Sequence, residues 1–117
     1  ENLEHVLRRI SVRYPQVPII VTETGVADHQ DRYRSWWIAH TVEAIQKAIQ
    51  VGVQVQGYLV WSLLDNFEWG FGYEKRFGIV HVDFQTQKRT IKDSGYWYRD
   101  TIASHGANLV QRLVDFA

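Results

Sequence analysis

The sequence predicts an α/β fold built from parallel βα units, in which the chain supplies too few strands to complete a sheet. Two observations carry this. Two short apolar strand patterns, PIIVTE at 18–23 and QGYLVWSLL at 56–64, alternate with segments of helical periodicity. Each strand pattern is near-continuously apolar, as expected where both faces of a parallel sheet are covered. Two parallel strands alone would leave bare edges and half-covered faces. The chain is therefore expected to be part of a larger sheet or to pair with another chain.

The elements follow in order. Apolar positions at Leu3, Val6, Leu7, Ile10 and Tyr14 give a helix over 3–14 with an Arg-rich outer face. Pro15 and Pro18 end it, because proline lacks an N–H and disfavours helix in the residue before it. After the strand at 18–23 and a loop at 24–30, Asp31 is the expected N-cap of a helix over 32–50. Its inner face is read as Trp37, Thr41, Ala44, Ile45, Ala48 and Ile49. Gly52 follows as a left-handed C-cap. The second strand pattern runs into an aromatic, charged loop at 65–77. FGIVHVDF at 77–84 alternates like a strand, and QTQKR turns the chain back into a hairpin. Asp93 or Ser94 is expected to cap a last helix ending near Ser104, with Gly106 as its stop and NLVQRL as a short terminal segment.

The totals narrow the function classes. A chain of 117 residues supports one small domain with a modest core. Thirteen basic and thirteen acidic side chains balance to zero net charge, which gives no reason to expect nucleic acid or an anionic membrane surface as a partner. No apolar run approaches the roughly 18–20 residues of a membrane span. Cysteine is absent, so there is no disulfide framework or thiolate metal site. That fits a reducing compartment, and a cytoplasmic location is the expectation. The histidines at 5, 29, 40, 81 and 105 lack metal-ligand spacing, and neither strand is followed by a phosphate-binding glycine motif. A nucleotide-binding domain is accordingly disfavoured.

In closed βα barrels the reactive groups lie at the C-terminal ends of the strands. The first strand here ends in a carboxylate, Glu23, and the second ends at Trp61 and leads into SLLDNFEWGFGYEKRFG. A solvated acid at a strand end is the ordinary alternative for Glu23, and core packing the ordinary alternative for Phe67, Phe71 and Tyr73. The combination of Trp61, Glu68, Trp69 and Phe77 points elsewhere. Flat aromatic faces stack on the C–H faces of sugars, and carboxylates accept from sugar hydroxyls. An acid embedded as FEW is costly to bury without such a partner.

The segment GYLVWSLLDNFEWGFGYEKRFGIVHVDF, followed by QTQKRTIKDSGYWY, resembles the C-terminal part of a family 1 glycoside hydrolase, the β-glucosidase and β-glycosidase family. IVTETG resembles that family's nucleophile motif, I-T-E-N-G. The resemblance runs from Glu1 to the region of Gly106 and implies a (β/α)8 TIM barrel, of which residues 1–117 would be the C-terminal portion, about the last two βα units. It implies that Glu23 is the catalytic nucleophile, that Trp61 and Phe77 line the sugar pocket, and that Glu68 and Trp69 contact hydroxyls of the non-reducing sugar. Retaining hydrolysis needs a second carboxyl group about 5–5.5 Å from the nucleophile. In the family it comes from a T-x-N-E-P motif on the fourth strand, and this sequence has no such motif. Asp31 is read as a helix cap and Asp65 as loop scaffolding, so neither replaces it. Lys75, Arg76, Lys88 and Arg89 are read as solvated loop and turn charges. Thr24 stands where the family usually has Asn, and a hydroxyl cannot replace both ends of an amide.

The implied activity is hydrolysis of a β-linked glucoside or related glycoside by double displacement, without metal or organic cofactor. Glu68 favours an uncharged sugar over a 6-phosphate. The implied partner is a complementary N-terminal barrel segment, or other copies of the chain. The alternative is a non-catalytic barrel fragment that self-assembles or only binds sugar.

Overall fold

The computed structural model describes residues 2–114. Glu1, where the resemblance begins, and residues 115–117 lie outside them. The chain runs helix α1 (Leu3–Arg13), strand β1 (Ile19–Thr24), helix α2 (Arg34–Gln50), strand β2 (Val55–Val60), a 3-10 turn at Trp69–Phe71, strands β3 (Val80–Val82) and β4 (Arg89–Ile91), and helices α3 (Asp93–Ala103) and α4 (Leu109–Val114). β1 and β2 pair in parallel. β3 and β4 form an antiparallel hairpin.

α1 begins where expected because the Asn2 side chain accepts from the Glu4 amide at 3.2 Å. Helices α1 and α2 lie on one face of the β1–β2 pair. Leu7 from α1, Ile45 and Ala48 from α2, Val21 from β1 and Val53 before β2 form the core, with Leu3, Ile19, Val55 and Tyr58 at its rim. The opposite face of the same two strands is uncovered: Ile20 is 55% and Leu59 57% exposed. Apolar side chains on both faces of a strand, with cover on only one, are what a sector cut from a closed barrel presents. The radius of gyration, 15.4 Å, exceeds the ~13 Å expected of a compact domain this long.

Five readings of the sequence are corrected. α2 starts at Arg34, and Asp31 does not cap it. Asp28 does that work, accepting from the amides of Tyr33 and Arg34 at 2.7 and 3.2 Å. Asp31 instead adopts φ +57° and turns its carboxylate to the amide and hydroxyl of Ser94, 2.8 and 2.6 Å away. The buried stripe of α2 is also broader and rotated. It runs through Ile38, Ala39, Ala44, Ile45 and Ala48, while Trp37 and Ile49 are exposed at its flanks, because α1, α3 and α4 also pack against this helix.

The second strand stops at Val60, since from Ser62 onward the chain changes partner. Ser62 donates to the Phe77 carbonyl at 3.1 Å and accepts from Ile79 at 2.9 Å. This exchange, and the close passage of Ile79 against Gly95 of α3, leave only Val80–Val82 of the 77–84 pattern in regular pairing. Finally, α3 is capped at Lys92, with Asp93 already in its first turn and Ser94 engaged by Asp31. Gly52 and Gly106 take the left-handed conformation (φ +93° and +86°) that their C-terminal positions require.

Candidate functional site

β1 and β2 end side by side, so the residues at their C-terminal ends share one rim. Strict alternation would put Glu23 on the helix-covered face with Ile19 and Val21. The strand does not alternate strictly. Pairing runs Val21 with Tyr58 and then Thr24 with Val60, so β1 holds one residue more than β2 in this interval. The extra residue brings Thr24 onto the covered face, where its hydroxyl meets the Tyr58 phenol at 3.2 Å. Glu23, its neighbour, is thereby turned to the open face and is solvent-exposed. Burial holds the Tyr58 phenol above its ordinary pKa, so it stays neutral in this contact.

The two strand ends are clamped just beyond Glu23. Trp61 donates its amide to the Thr24 carbonyl at 2.8 Å. Gly25 passes so close to Trp61 that a Cβ there would sit 2.1 Å from the Trp61 carbonyl oxygen. Trp61 is half-buried, its peptide bond to Ser62 is cis, and its indole N–H is buried without an acceptor among the described residues.

Phe77 reaches the same rim from the far end of the 65–77 loop, its carbonyl taken by the Ser62 amide. The Phe77 backbone thus joins the chain at Ser62, one residue past the Trp61 amide that bonds Glu23's strand. Glu68 and Trp69 sit on a turn closed on itself: the Glu68 amide donates to Gly72 at 2.7 Å, and Phe71 donates back to Glu68 at 2.9 Å. Trp69 is 80% exposed with φ +47°. Phe67, Phe71 and Tyr73 are exposed rather than core, with Phe67 on Tyr73 (ring centroids 5.5 Å apart) and Tyr73 on Phe84 (4.4 Å).

The loop is stapled at its base by Asp65, which is 3% exposed. One carboxylate oxygen accepts from the Gly78 amide and Lys92 Nζ, both at 2.9 Å. The other accepts from Arg76 Nη1 at 3.1 Å and from the Val82 amide at 3.4 Å. Burial alone would raise the pKa of Asp65, but Lys92 and the two amides outweigh it and hold the carboxyl below its ordinary value. Scaffolding was the reading of Asp65 from sequence, and it holds. Arg76, read as a solvated charge, does not. Its guanidinium also bonds the Val82 carbonyl at 2.7 Å and lies 4.2 Å from the centroid of the Phe84 ring.

Sequence reasoning missed Arg34. It is 1% exposed, with Nη2 donating to the carbonyls of Asp28 (2.7 Å) and Arg76 (2.8 Å) and Nη1 to the Asp31 carboxylate. The only signal was a cation at the start of an apolar helix, which ordinarily reads as solvated. Among the described residues no cluster of three or more His, Asp or Glu is placed to hold a metal, and no helix is long and apolar enough to cross a membrane.

A sequence profile described as glycosyl hydrolase family 1 matches residues 1–107. The 1,4-beta-D-glucan glucohydrolase of Thermotoga neapolitana is 44% identical over 115 residues, covering 91% of this chain and 26% of that protein. The bifunctional beta-D-glucosidase/beta-D-fucosidase of Bifidobacterium breve is 42% identical over 120 residues, with 92% and 26% covered. Among solved structures, the beta-glucosidase from Thermotoga maritima in complex with glucoimidazole superposes with a TM-score of 0.85 at 43% identity, over 88% of this chain and 26% of that one. The chain spans about a quarter of the length of these relatives.

Proposed function

This chain belongs to glycosyl hydrolase family 1 and forms the C-terminal part of its (β/α)8 barrel, and from that premise we propose that it carries the nucleophile and part of the sugar pocket of a retaining β-glycosidase. The observation that carries the proposal is the position of Glu23. It stands at the C-terminal end of β1, turned by the extra residue to the uncovered face, beside Trp61 at the end of β2.

In this reading the Glu23 carboxylate attacks the anomeric carbon of a β-linked glucoside, and the bond to the leaving oxygen breaks as a second carboxylic acid protonates that oxygen. Water, deprotonated by the same group, then displaces Glu23 and releases the sugar with retained configuration. Trp61 and Phe77 wall the sugar ring. Glu68 accepts from its hydroxyls, with Trp69 beside it, and the Glu68 charge disfavours a phosphorylated sugar. The acid/base lies outside this chain, on the barrel segment that would cover Ile20 and Leu59. That complementary segment is the proposed partner. The same bare face favours one further reading, in which copies of this chain cover each other's sheets. Such an assembly would bury the apolar face but supply no acid/base, and would be inert toward glycosides.

The test is a chimera in which this chain replaces the matching quarter of the Thermotoga maritima beta-glucosidase. Exposure to an activated 2-deoxy-2-fluoro-β-glucoside should add one sugar to the peptide holding Glu23, and Glu23→Gln should abolish both the label and turnover. A label on another residue, or turnover that survives Glu23→Gln, would refute the assignment.

A further inference from the structure

We propose that Arg34 and Asp65 are positioning residues, forming with Arg76 a buried polar bridge that fixes the loop after Glu23 against the loop carrying Glu68 and Phe77. Its functional consequence rests on the reading of Glu23 as the nucleophile.

Strand pairing between β1 and β2 ends at Thr24 and Val60, so beyond the Trp61–Thr24 bond the sheet no longer sets how the two loops lie. The bridge takes over from there. The Asp28 amide donates to the Arg76 carbonyl at 3.0 Å. One nitrogen of Arg34 donates to the Asp28 and Arg76 carbonyls at once, so a single guanidinium holds both loops. Arg76 passes the connection on through Asp65, which in turn fixes Gly78, immediately after Phe77.

Charge-assisted bonds of this kind are about twice as strong as neutral ones. A buried member cannot shift alone without leaving its partners unsatisfied. The two loops therefore move together or not at all, and the distance from Glu23 to the sugar-contacting side chains is set inside this chain. Lys92 and Asp31 extend the bridge to α3, through Asp65 and Ser94 respectively. That gives it a fixed support on a helix rather than on a mobile rim.

The test is amide hydrogen exchange on the full chain and on the chimera, comparing Asp65→Asn with the parent. Coupling predicts that exchange rises about tenfold or more in both 25–33 and 66–78, although Asp65 borders only the second of them. In the chimera, labelling of Glu23 by the fluoroglucoside should slow on the order of 100-fold, the loss expected of a reacting group misplaced by about 1 Å. Faster exchange confined to 66–78 would overturn the proposal, because Asp65 would then hold only its own loop. Should Asp65→Asn fail to fold, Arg34→Lys gives the same reading, since an ammonium cannot reproduce the guanidinium's fixed fork of donors. For Arg34→Lys the remote loop is 66–78, and unchanged exchange there would equally overturn it. A parent chimera that never labels at Glu23 would refute the nucleophile assignment but not the bridge, which the exchange data judge alone.

Discussion

Replacing Gly25 by alanine tests how tightly the two strand ends must approach. The added methyl would stand 2.1 Å from the Trp61 carbonyl oxygen, 3.0 Å from its carbon and 3.2 Å from the Trp61 Cβ. Unstrained contacts lie at about 3.5 Å or more, so the backbones must separate by roughly 1 Å. Overpacking of this kind costs about 1–3 kcal/mol. The shift also stretches the 2.8 Å bond from Trp61 to the Thr24 carbonyl, a loss of about 0.5–1.5 kcal/mol. Together these predict destabilisation of about 2–4 kcal/mol. The kinetic effect should be the larger. Thr24 and Gly25 directly follow Glu23, so the same separation displaces the carboxylate relative to Trp61. Displacement of about 1 Å costs on the order of 100-fold in rate. Urea unfolding of the chimera and its kcat/KM on an aryl β-glucoside measure the two effects. Wild-type activity and stability in Gly25→Ala would show that the rim is slack and that the clamp has no part in aiming Glu23.

Other perturbations separate packing from electrostatics. Leu7→Ala removes a fully buried side chain from the cluster of Val21, Ile45, Ala48 and Val53, and should cost about 2–5 kcal/mol in urea unfolding while labelling of Glu23 in the folded fraction stays unchanged. The Asp65 carboxyl titrates lower in the folded chain than in the unfolded one. Its stabilising contribution is therefore complete above about pH 4, the unfolded value, and fades as pH falls through the depressed native value. Asp65→Asn should lose about 3–5 kcal/mol at neutral pH, and the gap between variant and parent should narrow in unfolding curves taken below about pH 4.

Much of this architecture was legible because it rests on local patterns. The α1 spacing, the apolar run of β1 and the glycine stop after α2 each need only neighbouring residues. The misreadings share one cause, which is that the deciding partner lies far along the chain. Asp31 looks like a cap until Ser94 is brought to it. Arg76 looks solvated in EKR until Asp65, Phe84 and the Val82 carbonyl surround it. Arg34 cannot be read as buried from a helix start, because its acceptors are carbonyls, which carry no signature in the sequence. At the site, the family was readable from IVTETG and the WSLLDNFEW block. The turning of Glu23 to the open face was not, since it depends on one unpaired residue in β1 that the period-2 pattern does not register.

The division of labour within a complete barrel follows from where these contacts lie. Glu23, Trp61 and Phe77 are related through a parallel strand pair, a backbone bond between Trp61 and Thr24, and bonds between segments of this one chain. Their mutual geometry needs no other segment of a barrel. Under the proposed function, the position of an acid/base contributed by another strand would depend instead on closure over the face that carries Ile20 and Leu59. Substitutions inside the bridge should therefore alter attack by Glu23 with the acid/base in place. A charged residue at Leu59 should do the reverse, leaving the loops ordered while weakening closure. Nucleophile geometry and barrel closure are separable on this view, because one is built from contacts within two adjacent βα units and the other from a surface those units leave bare.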